Sequence, residues 1–198
     1  MTSQKKNQVV IVAGANGSGK TTFAKKFLDV TKYEFLNADE IAKEINPLDP
    51  SKARIEAGRK VISLIDFYIE AKKNFVIEST LAGSFLEKHI ANLKKNNYEV
   101  NLTYIFLGSE TLCINRIKSR VRQGGHDVPE EDVIRRFKRG LLKFWDLYRL
   151  QVDLYSIYFN NEFYDFKQVA QGKNDNVEIL LQPLFDDFIQ IIEDTKNG

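Results

Sequence analysis

The segment from Gly14 to Thr21 constrains this chain more than any other, because it reads Gly-Ala-Asn-Gly-Ser-Gly-Lys-Thr. It matches the phosphate-binding loop (P-loop) pattern Gly-x-x-x-x-Gly-Lys-Ser/Thr at every defined position. Glycines let the backbone approach a phosphate closely, and successive amide N–H groups then surround the anion. We expect Lys20 to reach the β- and γ-phosphates and the Thr21 hydroxyl to be a ligand of Mg²⁺. The segment therefore predicts a nucleoside triphosphate site.

The residues on both sides of this loop support the prediction. Gln8 to Ala13 is a short apolar, β-branched run, which is typical of a buried parallel strand. After the loop, apolar residues recur at helical spacing, at Phe23, Ala24, Phe27 and Leu28. The alternative is a chance glycine turn, which would not need a strand before it and a helix after it. A phosphate site does benefit from the helix, because the dipole at the helix N-terminus attracts the anion. The predicted nucleotide-binding residues are Gly14, Ala15, Asn16, Gly17, Ser18, Gly19, Lys20, Thr21 and Thr22.

Length and composition narrow the class of protein. The 198 residues fit one domain, and a hydrophobic fraction of 43% is enough for a large core. The net charge of +2, from 29 basic and 27 acidic residues, does not favour a nucleic-acid partner. The single Cys113 excludes an intrachain disulfide, fits a reducing cytosol and is expected to be inert core. Since no apolar run suits a signal peptide or a membrane span, we expect one cytoplasmic domain over residues 1–198.

Strand and helix patterns alternate along the chain, which predicts an α/β fold with a mostly parallel sheet and helices on both faces. The loop after the first strand places the ligand at the carboxyl edge of that sheet. Asn37 and Glu40 have the spacing of a capping box, with Asn37 as the N-cap of a short helix. The predicted strands are 8–13, 33–36, 75–77, 99–107, 154–159 and an edge strand at 163–170. The predicted helices follow the loop and cover 37–45, 51–73, 84–96, 109–123, 130–153 and 177–194.

The loop indicates nucleotide binding but no particular reaction. The sequence has no Asn-Lys-x-Asp guanine motif and no Leu-Ser-Gly-Gly signature, which argues against a GTPase and an ABC-type ATPase. Motor and ring ATPases are usually larger and carry an apolar strand that ends in Asp-Glu. The class that remains is the small-molecule kinases, which have an arginine-rich lid after the fourth strand. We therefore predict a nucleotide-kinase-like fold with a lid at about residues 116–130.

Outside the loop, the chain carries two unusual motifs, Asn37-Ala38-Asp39-Glu40-Ile41-Ala42 and Gly124-Gly125-His126. Less specific segments accompany them: Asn46-Pro47, Ala57-Gly58-Arg59, Phe75 to Gly83, Arg135-Arg136-Phe137 and Tyr158-Phe159-Asn160-Asn161. Together they resemble the zeta-toxin family of P-loop kinases, in its small stand-alone branch, over about Val9 to Asn161. The chain departs from zeta toxins proper at Glu40-Ile41-Ala42, because those proteins carry Phe-Arg soon after the catalytic aspartate.

The resemblance implies ATP- and Mg²⁺-dependent phosphorylation. In zeta toxins proper, the acceptor is a hydroxyl of UDP-N-acetylglucosamine, so a nucleotide sugar is the expected small-molecule acceptor here. The departure at Glu40-Ile41-Ala42 concerns the acceptor more than the fold or the nucleotide. A different class stays open, a nucleotide-binding regulatory ATPase whose partner is an antitoxin or another regulatory protein.

Four side chains beyond the loop are candidates for the chemistry on the acceptor side. Asp39 follows the second strand and is the predicted general base, although it could merely favour the first turn of a helix. Glu78 ends an apolar strand and is predicted to hold the acceptor or a Mg²⁺-bound water; a solvated strand end is the alternative. Thr80 and His126 are predicted acceptor contacts, and His126 could instead be a turn residue.

Arginines of the predicted lid are candidates for the phosphate side. Arg120 and Arg122 directly precede the glycine pair and are predicted to meet the γ-phosphate when the lid closes. A solvated basic face is the alternative interpretation. Arg135 and Arg136 are expected to be mainly surface charges of the next helix, with at most one of them pointing inward.

Overall fold

The computed structural model describes residues 6–125, 127–160 and 165–198. Its strands are β1 (Asn7–Gly14), β2 (Glu34–Leu36), β3 (Phe75–Ser79), β4 (Tyr98–Phe106), β5 (Leu154–Asn160), β6 (Phe166–Lys173) and β7 (Asn176–Ile179). Its α-helices are α1 (Lys20–Leu28), α2 (Ala38–Ile45), α3 (Arg54–Glu70), α4 (Phe85–Lys95), α5 (Glu110–Arg122), α6 (Glu130–Lys143), α7 (Arg149–Gln151) and α8 (Gln182–Asn197). A 3₁₀ turn, Pro50–Ala53, precedes α3, and a π-helical segment, Phe144–Tyr148, joins α6 to α7.

The strands form one seven-stranded sheet in the order β2-β3-β1-β4-β5-β6-β7. Pairing is parallel from β2 to β5, and only β6 and β7 run antiparallel to their neighbours. In this register Ala13 of β1 pairs with Ser79 of β3, and Leu36 of β2 pairs with Ile77. The P-loop, the end of β3 and the start of α2 therefore meet at one edge of the sheet, as the sequence predicts.

Helices cover both faces of the sheet, and β1 shows why. Its alternate side chains Val9, Ile11 and Ala13 belong to the larger core cluster, in which α3 to α6 and α8 pack. Val10 and Val12 point the other way, into a smaller cluster that α1 closes with Ala24, Phe23 and Phe27. A central parallel strand buried on both faces is the reason that its sequence is continuously apolar. The predicted α/β fold with a mostly parallel sheet is confirmed.

Two predictions at the C-terminal end are wrong in their bounds. The predicted helix 177–194 begins only at Gln182 and runs to Asn197, because Val177 to Ile179 belong to β7. Asn174 takes a left-handed conformation, with φ of 53°, and turns β6 back into β7 as a hairpin. The predicted edge strand 163–170 is β6, shifted to 166–173, and residues 163 and 164 lie outside the described residues. Sequence reasoning recognised no local motif for the β6–β7 hairpin that extends this parallel sheet.

No helix in the described ranges is both long and apolar enough to cross a membrane. Cys113 is fully buried, and burial raises the pKa of its thiol to about 12, as expected for an unreactive core cysteine. The assignment of the whole chain to one domain stays a prediction.

Helix α6 packs unusually close to the segment that follows β3. A Cβ atom added to Gly140 would collide with the backbone oxygen of Thr80. Lys143 Nζ donates to the backbone oxygen of Gly83 at 2.9 Å, and the Tyr148 hydroxyl donates to the same oxygen at 3.3 Å. The turn that carries Thr80 is therefore held against α6 at several points.

We predict that Gly140→Ala lowers the free energy of unfolding by about 1–3 kcal/mol, because overpacking against a backbone atom outweighs the helix propensity of alanine. Gly58→Ala is the matched control on α3, where an added Cβ meets nothing within 4 Å. That change should stabilise the chain by roughly 0.5–1 kcal/mol. Urea denaturation of both variants checks this, and equal effects would contradict the close packing of α6.

Candidate functional site

The glycines of the P-loop take backbone conformations that other residues avoid. Gly17 has φ of 81° and lies against α5, where an added Cβ would be 2.6 Å from the backbone oxygen of Cys113. Gly19 has φ of 94°, and an added Cβ would collide with the amide of Asn160. The predicted loop residues 14–21 thus lie between the end of β1 and the start of α1.

Asn160, at the end of β5, holds this loop from the side. It is fully buried, and its Nδ2 donates to the backbone oxygen of Ser18 at 2.7 Å. Arg116 of α5 approaches the same residue, with Nη2 donating to the Asn160 backbone oxygen at 3.4 Å. Sequence reasoning noticed Asn160 only as part of an aromatic-asparagine segment and gave it no contact with the loop.

Lys20 lies folded back across the loop. Its Nζ donates to the Ala15 backbone oxygen at 2.8 Å and lies 3.8 Å from Glu78 Oε1. The Lys20 and Glu78 side chains are only 7% and 10% exposed. Burial lowers the pKa of Lys20, and the charges of Glu78 and Asp39 oppose that shift. In this structure Glu78 is the anionic partner of the Lys20 ammonium. A phosphate bound in the loop would be an anionic partner in its place.

Glu78 is the centre of the hydrogen-bond network at this edge. Its Oε2 accepts from the Thr21 hydroxyl at 2.9 Å and from Asn37 Nδ2 at 2.8 Å. Burial raises the pKa of Glu78, and the Lys20 charge and the Thr21 hydrogen bond counteract part of that rise. Glu78 therefore contacts the nucleotide side of the site, so the predicted role beside a Mg²⁺-bound water fits its position better than direct acceptor binding does.

Asp39 lies in the first turn of α2, and Asn37 is the N-cap as predicted. The Asn37 Oδ1 accepts from the backbone N–H groups of Asp39 at 2.8 Å and Glu40 at 3.2 Å. The Asp39 side chain is exposed, and its charge is near enough to influence the pKa values of Lys20 and Glu78. An exposed carboxylate beside the phosphate loop is accessible to an acceptor hydroxyl, as a general base must be.

The oxygen atoms at this edge fit a magnesium ion. The Thr21 hydroxyl and the Glu78 carboxylate are hydrogen-bonded, and oxygen ligands of this kind suit Mg²⁺. Among the described residues, no group of three or more His, Cys, Asp or Glu side chains could hold a metal. Mg²⁺ would then be held by the Thr21 hydroxyl together with nucleotide phosphates and waters, with Glu78 beside one of those waters.

The structure separates the two predicted lid arginines. Arg120 lies on the side of α5 that faces the loop, where its charge lowers the pKa of Lys20 in the same direction as burial. Arg122 is two residues further on, so the helical turn of about 100° per residue carries it to the opposite side. There it lines a groove of about 300 Å³ between α5 and α6, with Lys118 and Glu130. Arg120 is thus near Lys20 while Arg122 lines the groove, and a contact of either arginine with the γ-phosphate stays a prediction.

Arg136 takes a position that sequence reasoning largely missed. Its Nη1 donates to Asn16 Oδ1 of the P-loop at 3.2 Å, and its Nη2 lies 3.4 Å from Asp132 Oδ2. The signal was present in the spacing, because Arg136 lies four residues before Gly140 and three after Val133, both buried on the inner face of α6. Arg135 lies next to it but is 48% exposed and pairs with Asp132 of the same helix.

The remaining predicted residues have less defined roles. Thr80 is half-buried in the turn held by α6, and Thr22 is exposed at the start of α1. His126 lies outside the described residues, so its acceptor contact stays a prediction.

We predict that Lys20→Ala abolishes nucleotide binding and also destabilises the fold, by about 3 kcal/mol at neutral pH, because Glu78 loses the partner of a buried ion pair. Without Lys20 the pKa of Glu78 rises further. A carboxyl group whose pKa is higher in the folded than in the unfolded state costs stability as pH rises through that interval. The stability lost by the variant should therefore be larger at pH 8 than at pH 5, as chemical denaturation in EDTA would measure.

The matched control for this prediction is the double variant Lys20→Ala with Glu78→Gln. It should recover most of the stability, since no buried charge is left without a partner, and still fail to bind ATP in calorimetry. Recovery of nucleotide binding in the double variant would contradict the role of Lys20.

We predict that Arg136→Ala lowers phosphoryl transfer about 10²-fold with little change in ATP affinity, because it removes a cation whose effect grows in the transition state. Arg135→Ala is the control from the same turn, and Arg122→Ala tests the groove position. Both should keep most of the turnover in steady-state kinetics. Full activity of Arg136→Ala beside a strong loss in Arg122→Ala would reverse the assignment.

Comparisons with known proteins agree with this fold. A relative from Haemophilus influenzae, described as an uncharacterized protein, is 37% identical over 131 residues, which cover 66% of this chain and 93% of that protein. The fold resembles AvrRxo1-ORF1:-ORF2 solved with ATP, with a TM-score of 0.72 at 13% identity. That match covers 93% of this chain, which spans only 63% of the length of the matched chain.

A second solved structure, from the PezAT chromosomal toxin-antitoxin system of Streptococcus pneumoniae, matches 100% of this chain and 88% of the other, with a TM-score of 0.62 at 15% identity. Identities this low show the fold alone. The family model described as "Zeta toxin" matches residues 1–168, which is most of the chain and includes the P-loop, Asp39, Glu78 and the arginines described above. This chain belongs to the zeta toxin family.

Proposed function

We propose that this protein is an ATP- and Mg²⁺-dependent kinase that transfers the γ-phosphate of ATP to a hydroxyl group of a small molecule, and that this acceptor is a nucleotide sugar such as UDP-N-acetylglucosamine. The observation that carries the proposal is the convergence of Lys20, Glu78, Asp39 and Arg136 on the P-loop edge. Membership of the zeta toxin family supports a P-loop kinase or phosphotransferase.

In this proposal, residues on one side of the loop bind the nucleotide and residues on the other side act on the acceptor. On the nucleotide side, the loop amides and Lys20 bind the phosphates. The Thr21 hydroxyl would hold Mg²⁺, with Glu78 beside a metal-bound water, and the ion would neutralise part of the phosphate charge. On the acceptor side, the oxygen of the attacking hydroxyl bonds to the γ-phosphorus. Asp39 accepts the proton that this hydroxyl loses. The bond from the γ-phosphorus to the β-γ bridging oxygen breaks, and ADP leaves. Arg120 and Arg136 stabilise the charge that is spread over the transferred group.

Charge on the acceptor side supports an anionic acceptor. The pKa of Asp132 is lowered by its hydrogen bond with Arg135 and, among smaller contributions, by the charges of Arg136 and Arg54. The charges of Arg54, at the start of α3, and of Arg135 and Arg136 on α6 therefore all act on Asp132, and Arg136 also donates to the loop residue Asn16. Arginine binds phosphate groups through two parallel hydrogen bonds, so a nucleotide sugar would match this surface.

A nucleotide-binding regulatory ATPase with a protein partner is the second candidate. Leu48, between α2 and α3, and Ile55, in the first turn of α3, are 99% and 74% exposed and would be available to a partner surface. The PezAT structure comes from a toxin-antitoxin system, so an antitoxin is the partner we propose for this alternative. On either proposal the protein works in the cytoplasm.

The deciding experiment incubates purified protein with ATP, Mg²⁺ and a panel of nucleotide sugars, and detects an added phosphate by mass spectrometry. Phosphorylation of one class of acceptor supports the kinase. ATP hydrolysis that no acceptor accelerates, but that a bound protein partner changes, would support the regulatory ATPase instead.

We predict that Asp39→Asn lowers phosphoryl transfer by about 10²–10⁴, the usual contribution of a general base, with ATP affinity nearly unchanged. Glu40→Gln is the control on the same turn, since Glu40 pairs with Lys25 at 3.3 Å on the surface. It should alter the rate by less than about threefold, because surface ion pairs contribute little. Calorimetry and single-turnover kinetics measure the two properties separately, and an unchanged rate in Asp39→Asn would leave Asp39 as a helix-start residue only.

A further inference from the structure

One buried side chain, that of Asn37, links the segment that carries the proposed base to the carboxylate beside the nucleotide. Asn37 is 6% exposed and makes hydrogen bonds through both ends of its amide. Its Oδ1 accepts from the N–H groups of Asp39 and Glu40 at the start of α2. Its Nδ2 donates to Glu78 Oε2 at 2.8 Å, on the neighbouring strand β3. The helix that carries the proposed base is thus bonded directly to the carboxylate that faces the nucleotide.

The amide does more than cap a helix. Capping needs one acceptor oxygen, which Ser, Thr and Asp provide equally well. An additional bond to a carboxylate needs a donor on the same side chain, which Asp lacks, and the shorter Ser and Thr would have to donate from the capping oxygen itself. A charge-assisted hydrogen bond to a buried carboxylate is also stronger and more directional than a bond between neutral groups. These two requirements together select asparagine at this position.

We propose that Asn37 is a positioning residue that fixes Asp39 relative to the Thr21–Glu78 pair, and hence the base relative to the bound nucleotide. This inference rests on the proposed function. Strand β2 supports it, because it has only three residues and lies at the edge of the sheet, paired with β3 alone. So short an edge strand holds the start of α2 weakly, and the Asn37–Glu78 bond adds a direct link to β3.

Loss of this link should affect chemistry more than nucleotide binding. Glu78 keeps its contacts with Thr21 and Lys20, which lie on α1 and not on α2. The loop and its lysine therefore stay in place. A displacement of a catalytic group by about 1 Å is enough to lower a rate about 10²-fold, since reacting atoms must be held close and aligned.

Asn37→Ser is the main test, because serine keeps a capping oxygen but cannot also donate to Glu78 from the same position. We expect a fall in kcat of about 10- to 100-fold, with the calorimetric Kd for ATP in Mg²⁺ changed by less than about threefold and an unchanged melting temperature. Asn37→Asp also keeps the cap but places a carboxylate against Glu78, so its kcat should fall further. Asn46→Ser is the matched control at the other end of α2, where Asn46 Oδ1 accepts only from the Asp49 N–H. It should keep full kcat.

Hydrogen–deuterium exchange of the nucleotide-free protein gives a readout that needs no activity. Asn37→Ser should increase exchange in the peptide covering α2 about threefold or more, while exchange in β1, α1 and β3 stays unchanged. Asn46→Ser should leave exchange in the first turn of α2 unchanged. Unchanged exchange, or a kcat loss that comes only with lost ATP affinity and lost stability, would overturn the inference. If the wild type phosphorylates no acceptor, the proposed function fails by itself, while exchange still decides whether Asn37 holds α2 to Glu78.

Discussion

The site depends on one buried charge, the carboxylate of Glu78. A carboxylate so little exposed is costly unless it is paired and hydrogen-bonded. Lys20 and Thr21 supply two of those partners from the junction of the P-loop and α1, and Asn37 supplies the third from the start of α2. Compensation of a single charge on β3 thus brings two other segments to fixed positions at one edge of the sheet.

The order of the strands makes this arrangement possible. Because β1 pairs with β3 on one side and β4 on the other, the loop after β1 lies between the end of β3 and the elements that follow β4. Glu78 approaches from the first side, and α5 with Arg120 and Arg116 approaches from the second. The polar groups that a phosphate needs therefore surround the loop, while the apolar faces of the same elements form the core beneath it.

Helix α6 connects the phosphate loop to the turn after β3. Arg136 contacts Asn16, and one turn later Gly140 lets the helix lie directly against the turn after β3. The same helix thereby contacts the loop that binds the nucleotide and the segment that carries Thr80. A rigid helix between these two segments would keep the transferred phosphate and the acceptor in a constant relation, which is a large part of what a phosphoryl-transfer enzyme must achieve.

The sequence by itself determined the features that depend on neighbours along the chain. The P-loop, its flanking strand and helix, the Asn37 cap and the alternation of strands and helices are all local patterns, and the structure has them. Only the tertiary structure decided which distant residues meet: Arg136 reaches Asn16 across 120 positions, and Asn160 reaches Ser18 across 142. It also separated Arg122 from Arg120 and turned Val177 to Ile179 into a strand. Local propensity and spacing specify an element and its faces, whereas the partner of each face is selected by packing across the sheet, which no short segment encodes.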